Sequence, residues 1–354
     1  MSDVNTPIIT AIATCVPRAV SLARWRTIEA ALSMQMPSGW NAWVTSWQPD
    51  FGPCIDEAAI TGNVRHTIRE AHGAKAVQVP VARDTDLSGL AAGVAQAVCS
   101  ARGRDAPPID IIMFCHTSPD EHVSTTTAGR LRAVVGAPCF PFSVSQQQGA
   151  SPFTALQLAR DLLIAERDVQ TILIVAAEKW CPPFSRSTAW GIVQGDAAGA
   201  LLVERLTGLP HGLGLIGAST HHLRHGARSA TDARDGIFTD WIPALLATID
   251  ALLDRHGLEP DDIAAVVGQA VDIRLDTAVL RHLGFVPAAR YGCACLGAAE
   301  SIVRLAAALA GRRLPQNSRL LAWGAGLGGY VGGALFAFHD MPLLNCEAGA
   351  RSPS

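Results

Sequence analysis

Lysine is nearly absent from this chain of 354 residues: Lys75 and Lys179 are its only two, and the rest of its 28 Lys+Arg are arginines. No Lys/Arg run occurs and the formal net charge is −3. A protein whose affinity comes from neutralising the phosphates of a nucleic acid is thereby excluded. Charged residues are also scarce, 17% of the chain, against about 25% in ordinary soluble proteins, so a coiled coil, a disordered chain and a long charged tail are excluded too. Apolar runs stop at about ten residues, where a membrane helix needs roughly 20. No basic segment leads into an apolar run at the start, so a cytoplasmic protein without signal peptide or membrane contact is expected. No CxxC pair is present. The nine cysteines are an odd number scattered through apolar segments, and the one close pair, Cys293 and Cys295, has no nearby histidine to complete a zinc set. Buried, reduced thiols are expected, with no metal and no other cofactor.

What is present is apolar residue in quantity, 49% of the chain, with 32 Gly and 21 Pro as punctuation. Short runs rich in β-branched or bulky apolar residues predict buried strands at Ile8–Val16, Ile109–Cys115, Phe140–Ser145, Thr171–Ala177, Ala198–Glu204, Leu213–Ala218, Ile263–Val267, Leu320–Trp323 and Val331–Phe338. Between them, helical periodicity predicts Leu87–Ala101, Ser124–Val135, Ala150–Arg167, Phe238–Arg255, Leu275–Leu283 and Ala298–Ala310. Strands alternating with helices predict an α/β fold whose sheets are covered on both faces. The order repeats: each half closes on a Gly-rich segment, Gly195–Ala200 in the first and Gly324–Gly329 in the second. Trp40, Trp43 and Trp47 share one helical face, read as packing on the body of the protein. His221, His222 and His225 lack an acidic or cysteine neighbour and are read as a surface loop.

An ordered set of segments is more specific. Asp110–Asp120 (DIIMFCHTSPD), Ser124–Gly136, Phe142–Leu156 (FSVSQQQGASPFTAL), Ile172–Lys179 (ILIVAAEK) and Gly195–Ala200 (GDAAGA) are followed by Asp261–Ala270, Arg290–Cys295 (RYGCAC) and the Gly-rich segment at 324–333. Together they resemble the thiolase superfamily, in its β-ketoacyl-ACP synthase III branch with the chalcone-synthase-like relatives. The resemblance covers roughly residues 105–340, with 1–20 compatible and 21–100 divergent. It implies a five-layer αβαβα fold of two similar halves, 1–207 and 208–354, the first carrying the divergent insertion at about 21–100. It also implies a dimer, and a cysteine at the start of a buried helix, where the helix dipole and free N–H groups lower a thiol's pKa and hold an oxyanion.

That cysteine is missing. Counting back from Thr154–Ala159 places it at Gly149; counting forward from Phe142 places it at Gln148. Neither side chain attacks a thioester at neutral pH. The family's catalytic His falls on Gly268, and its Asn on Cys293 or Cys295. Backbone donors for an oxyanion remain possible at Gly149, Gly326 and Gly328, and Gln147, Ser151, His116 and Gln269 are the pocket candidates.

The resemblance implies acyl-CoA or an acyl carrier protein as partner. Three functions follow from a family pattern with an emptied site: a catalytically silent subunit, dimerising with itself or with an active ketosynthase III-like enzyme; an acyltransferase that works without a cysteine nucleophile; and a non-catalytic acyl-thioester binder.

Overall fold

The computed structural model describes residues 6–33, 77–103, 106–120, 125–136, 138–181, 184, 186, 192–206, 208, 211–223, 237–269, 272–287, 294–311, 313–326 and 329–348. Its strands are β1 (Ile8–Val16), β2 (Ala19–Ser21), β3 (Gln78–Pro80), β4 (Ile111–His116), β5 (Phe140–Ser145), β6 (Thr171–Glu178), β7 (Ala197–Glu204), β8 (Leu213–His222), β9 (Ile263–Val267), β10 (Arg319–Gly326), β11 (Tyr330–Phe338) and β12 (Leu343–Ala348). Its helices are α1 (Leu22–Ser33), α2 (Leu87–Ala101), α3 (Thr127–Val135), α4 (Ser151–Ala165), α5 (Ile237–Arg255), α6 (Ile273–His282) and α7 (Glu300–Gly311). Local signals set several ends. Asp86 caps α2 by accepting the Gly89 N–H, Thr126 caps α3 through Gly129, and Gly136 closes α3 in the left-handed region at φ 72°.

The larger sheet has ten strands in the order β5-β4-β6-β7-β1-β8-β11-β10-β9, with β12 added to β1. From one edge inward, β4–β6 is parallel while β6–β7 and β7–β1 are antiparallel. From the other edge inward, β9–β10 is parallel while β10–β11 and β11–β8 are antiparallel. The same run of senses thus meets itself at β1 and β8. Those two strands share only the pairs Ile8–Gly214 and Ile9–Leu213, after which β1 takes β12 from Ala11 onward. The sheet therefore divides at its middle into two sheets that diverge, and the space between them is where α4 and α7 lie.

Period-two alternation sends each strand's side chains to two different cores. On β6, Ile172, Ile174 and Ala176 join the central core with Phe153, Leu156 and Ala159 of α4 and Ile302, Leu305 and Ala306 of α7. Its intervening Leu173, Val175 and Ala177 join Leu87, Leu90, Val94 and Val98 of α2 in an outer core. On β10, Leu320 and Ala322 face the central core, whereas Leu321, Trp323 and Ala325 face α5 and α6 in the other outer core. Helices, sheet, helices, sheet, helices: this is the five-layer αβαβα arrangement expected. With both faces covered, all eight residues of β6 are buried.

The strands differ from expectation chiefly at their ends. β8 runs through His221 and His222, where a surface loop was expected, because β11 is long enough to pair with both, at Val331 and Tyr330. The ring of His222 packs on that of Tyr330 at 4.4 Å. β2, β3, β12 and α1 were not anticipated. Trp40, Trp43, Trp47, His122, His225, Cys293 and Gly328 lie outside the described residues.

Candidate functional site

The site is built where α4 begins. β5 ends at Ser145, and the chain reverses through two non-glycine residues in the left-handed region, Gln146 (φ 64°) and Gln148 (φ 44°). A 3-10 turn, Gln148–Ala150, then feeds α4, whose second residue is Pro152. Left-handed backbone costs a side-chain-bearing residue about 1 kcal/mol or more and persists only where the surroundings hold it. They do so here. The Gln148 N–H donates to Thr117 Oγ1 (3.0 Å), just past β4, and Ser151 Oγ donates to the Gln148 carbonyl (2.8 Å). Thr154 Oγ1 donates to Gln147 Oε1 (2.6 Å) and lies 3.0 Å from Thr220 Oγ1 of β8.

A second helix start lies across from it, at α7. The 3-10 turn Gly297–Ala299 again opens on a left-handed residue, Gly297 (φ 53°). Glu178, fully buried at the end of β6, ties the two together: it accepts the N–H groups of Thr117 (3.0 Å) and Ser118 (2.7 Å) from one side and of Ala298 (3.1 Å) from the other. Burial pushes the Glu178 carboxyl above its ordinary range, against the pull of those N–H donors and of His116. His116 itself stacks on Phe114 at 4.7 Å and bonds through Nδ1 to the Ser118 carbonyl (3.0 Å).

Between the helix starts stands Gln269, fully buried. Its Oε1 accepts from Ala325 N–H (2.9 Å) and its Nε2 donates to the Gly149 carbonyl (3.1 Å), with the Gly297 carbonyl at 3.5 Å. A side chain at 149 would collide with the Gln269 carboxamide, and Gln148 carries the side chain next to it in the turn. At Gly268 a side chain would run into the indole of Trp323, which faces the outer core. Gln269, one residue on, is the one directed at the helix start. Gly326 closes the other side, lying against the Gln147 carbonyl.

Gly149, Gln148, Gln147, Ser151, Gln269 and Gly326 are therefore brought together, and His116 lies one step away, on the Glu178 side. Cys295 belongs to the second helix start, where its Sγ accepts the Gly297 N–H at 3.4 Å. Burial, together with Glu300, pushes its thiol well above the usual cysteine range. Burial also raises Cys115, with Glu178 adding to the effect. Neither thiol is available as thiolate. Thr117 and Glu178 were not singled out in the sequence, although a glutamate closing the apolar run of β6 is a signal that could have found the latter. Chemically, this helix start offers carboxamides and backbone groups. It can hold a carbonyl or an amide by hydrogen bonds, and it brings no thiolate or imidazole to the turn at 147–149 among the described residues.

No family model matches the chain. Among curated proteins, it is 33% identical over 129 residues to β-ketoacyl-[acyl-carrier-protein] synthase III of Rickettsia canadensis, a match that spans 35% of this chain and only 39% of that protein. The enzyme of the same name from Thiobacillus denitrificans is 27% identical over 245 residues, 62% of this chain and 70% of the relative. Among solved structures, FabH of Pseudomonas aeruginosa superposes with a TM-score of 0.67 at 17% identity, covering 95% of this chain and 99% of the other. OleA of Xanthomonas campestris with bound acetamide reaches 0.69 at 15% identity, covering 94% and 99%. ChlB3, described as an acyltransferase, reaches 0.71 at 19% identity, covering 95% and 99%. The chain therefore has the thiolase fold of these structures, and its sequence is similar to those of β-ketoacyl-[acyl-carrier-protein] synthase III enzymes.

Proposed function

We propose that the chain is a catalytically silent ketosynthase III-like subunit that pairs with an active condensing enzyme in cytoplasmic fatty-acid, polyketide or related biosynthesis, on acyl-CoA or acyl-carrier-protein substrates. The observation that carries this reading is the helix start itself, where Gln148 stands at the left-handed turn and the Gln269 amide fills the space beside Gly149. Condensation needs a nucleophile to take the acyl group; amides and glycines supply none.

Pairing is supported by what one copy leaves uncovered. β5 is an edge strand without a lysine, and Phe140 on it is 66% exposed. An edge of that kind is a template for a strand of another chain. α4, buried through its first turn, exposes Leu158 (38%) and Ile164 (42%) further along, apolar surface that a second subunit would cover. We place the boundary between the halves at 207/208, between the end of β7 and the start of β8.

Co-expression with a Cys-bearing ketosynthase III-like protein of the same organism, followed by native mass spectrometry, tests the proposal. A one-to-one complex with condensing activity is expected. A chain that forms only homodimers and condenses acyl thioesters alone would overturn it. The likeness to ChlB3 motivates a second reading, acyl transfer without a covalent acyl-enzyme. It predicts release of CoA by the isolated chain in the presence of an acceptor, unchanged after thiol alkylation. Plain binding of an acyl thioester would show affinity without that release.

A further inference from the structure

Gln269 is held entirely by backbone. Its one acceptor takes the Ala325 N–H from β10, and its two amide hydrogens have the carbonyl of Gly149 and, at the longer 3.5 Å, that of Gly297 to point at. The three groups come from three different segments, one before each central helix and one on the sheet, so their spacing is set by the packing of the layers and not by rotamers. Two glycines keep the space open. A side chain at 149 would collide with the amide, and a Cβ on Gly324 would lie 2.9 Å from Gln269 Nε2 and 2.7 Å from Phe153 Cε2.

One N–H donor beside two carbonyl acceptors is the complement of a primary carboxamide, which carries one carbonyl and an NH₂ with two hydrogens. A carboxylate would set an oxygen against two carbonyl oxygens. A hydrocarbon would satisfy neither the Ala325 N–H nor the Gly149 carbonyl, at about 1–3 kcal/mol each, whereas the Gly297 carbonyl also accepts the Glu300 N–H.

We infer that this cradle is a binding site for a primary carboxamide, filled in the native chain by the side chain of Gln269 and open to small amide ligands once that side chain is removed. The consequence for function rests on the silent-subunit reading: with Gln269 in place, the head of an acyl group has no room at the helix start. The cradle itself does not depend on that reading.

The test is thermal melting of the full chain and its Gln269→Ala and Gln269→Gly variants, titrated with acetamide and, separately, with acetate. Both variants are expected to melt below the wild type and to regain stability with acetamide along a saturating curve, while acetate has no such effect and the wild type does not respond. Variants that respond no more than the wild type, or equally to acetate, overturn the inference. Should neither variant fold, the wild type carries the test through hydrogen exchange of the Gln269 side-chain amide, assigned by its contacts to Phe153 and Ala325. Exchange on the order of 100-fold or more slower than at exposed glutamines is expected for so enclosed a group; exchange at the exposed rate would overturn it. The pairing experiment fails independently, since a chain that binds no partner can still fill and vacate the cradle.

Discussion

The mutual fit of Gly149 and Gln269 makes a quantitative prediction. Gln269→Ala leaves the Ala325 N–H and the Gly149 carbonyl buried without partners, at about 1–3 kcal/mol each, so a loss of about 2–5 kcal/mol is expected. Gly149→Ala puts a methyl group onto the carboxamide. The amide must leave, the same bonds are lost, and overpacking adds about 1–3 kcal/mol. If the two changes acted independently, the double variant would suffer the sum. In the double variant, however, the methyl group added at position 149 enters space that the truncated residue has vacated and the bonds are lost only once. Its stability should be close to that of Gln269→Ala, so the coupling energy should match the whole loss caused by Gly149→Ala alone, about 3 kcal/mol or more. Denaturant unfolding of the four proteins measures it. Additivity to within about 0.5 kcal/mol would refute the claim that the two residues share one space.

Three further outcomes follow from the same structure. Gln148→Cys places a thiol at the left-handed start of a 15-residue helix, where the dipole lowers its pKa; iodoacetamide should alkylate it faster than any native cysteine, whereas Gly149→Cys should disturb folding instead. Arg186 and Asp196 form a buried ion pair at 2.6 Å, with Arg186 stacked 4.3 Å from the Trp25 ring centroid; Asp196→Asn should destabilise by about 3–5 kcal/mol, read by denaturation, because a buried cation loses its partner. His256 and His339 pack over Gly217 and Gly214 of β8, and burial, with nearby arginines, holds both below the ordinary histidine pKa. The unfolded chain then binds more protons in that window, so stability present above about pH 6.5 should fall as pH drops through the lower folded values, and His256→Gln should flatten part of that slope in melting curves recorded from about pH 7.5 to 5.

The order of the layers was legible because it rests on local pattern. Apolar runs such as Thr171–Ala177 are short and β-branched, and the strand differs only by gaining Glu178, whose charge hid a residue that pairs with Ala197 inside the sheet. β12 and the short β2–β3 pair carry little periodicity; β12 exists because β1 leaves β8 and offers it an edge. The helix start was found by resemblance, yet its geometry was not legible. The space beside Gly149 is filled by Gln269, which is 120 residues away from it in the chain. The same applies to Gly268, where Trp323 turns the side-chain direction away from the site. Contacts of that range leave no periodic trace in a sequence.

A silent subunit takes no acyl group covalently at the start of α4. Intact-mass spectrometry of the purified chain after incubation with a panel of acyl-CoA thioesters tests it most directly. An unmodified mass is expected with every thioester; an acyl adduct that maps by peptide sequencing to the segment at the start of α4, or to Cys295, would overturn the proposed function.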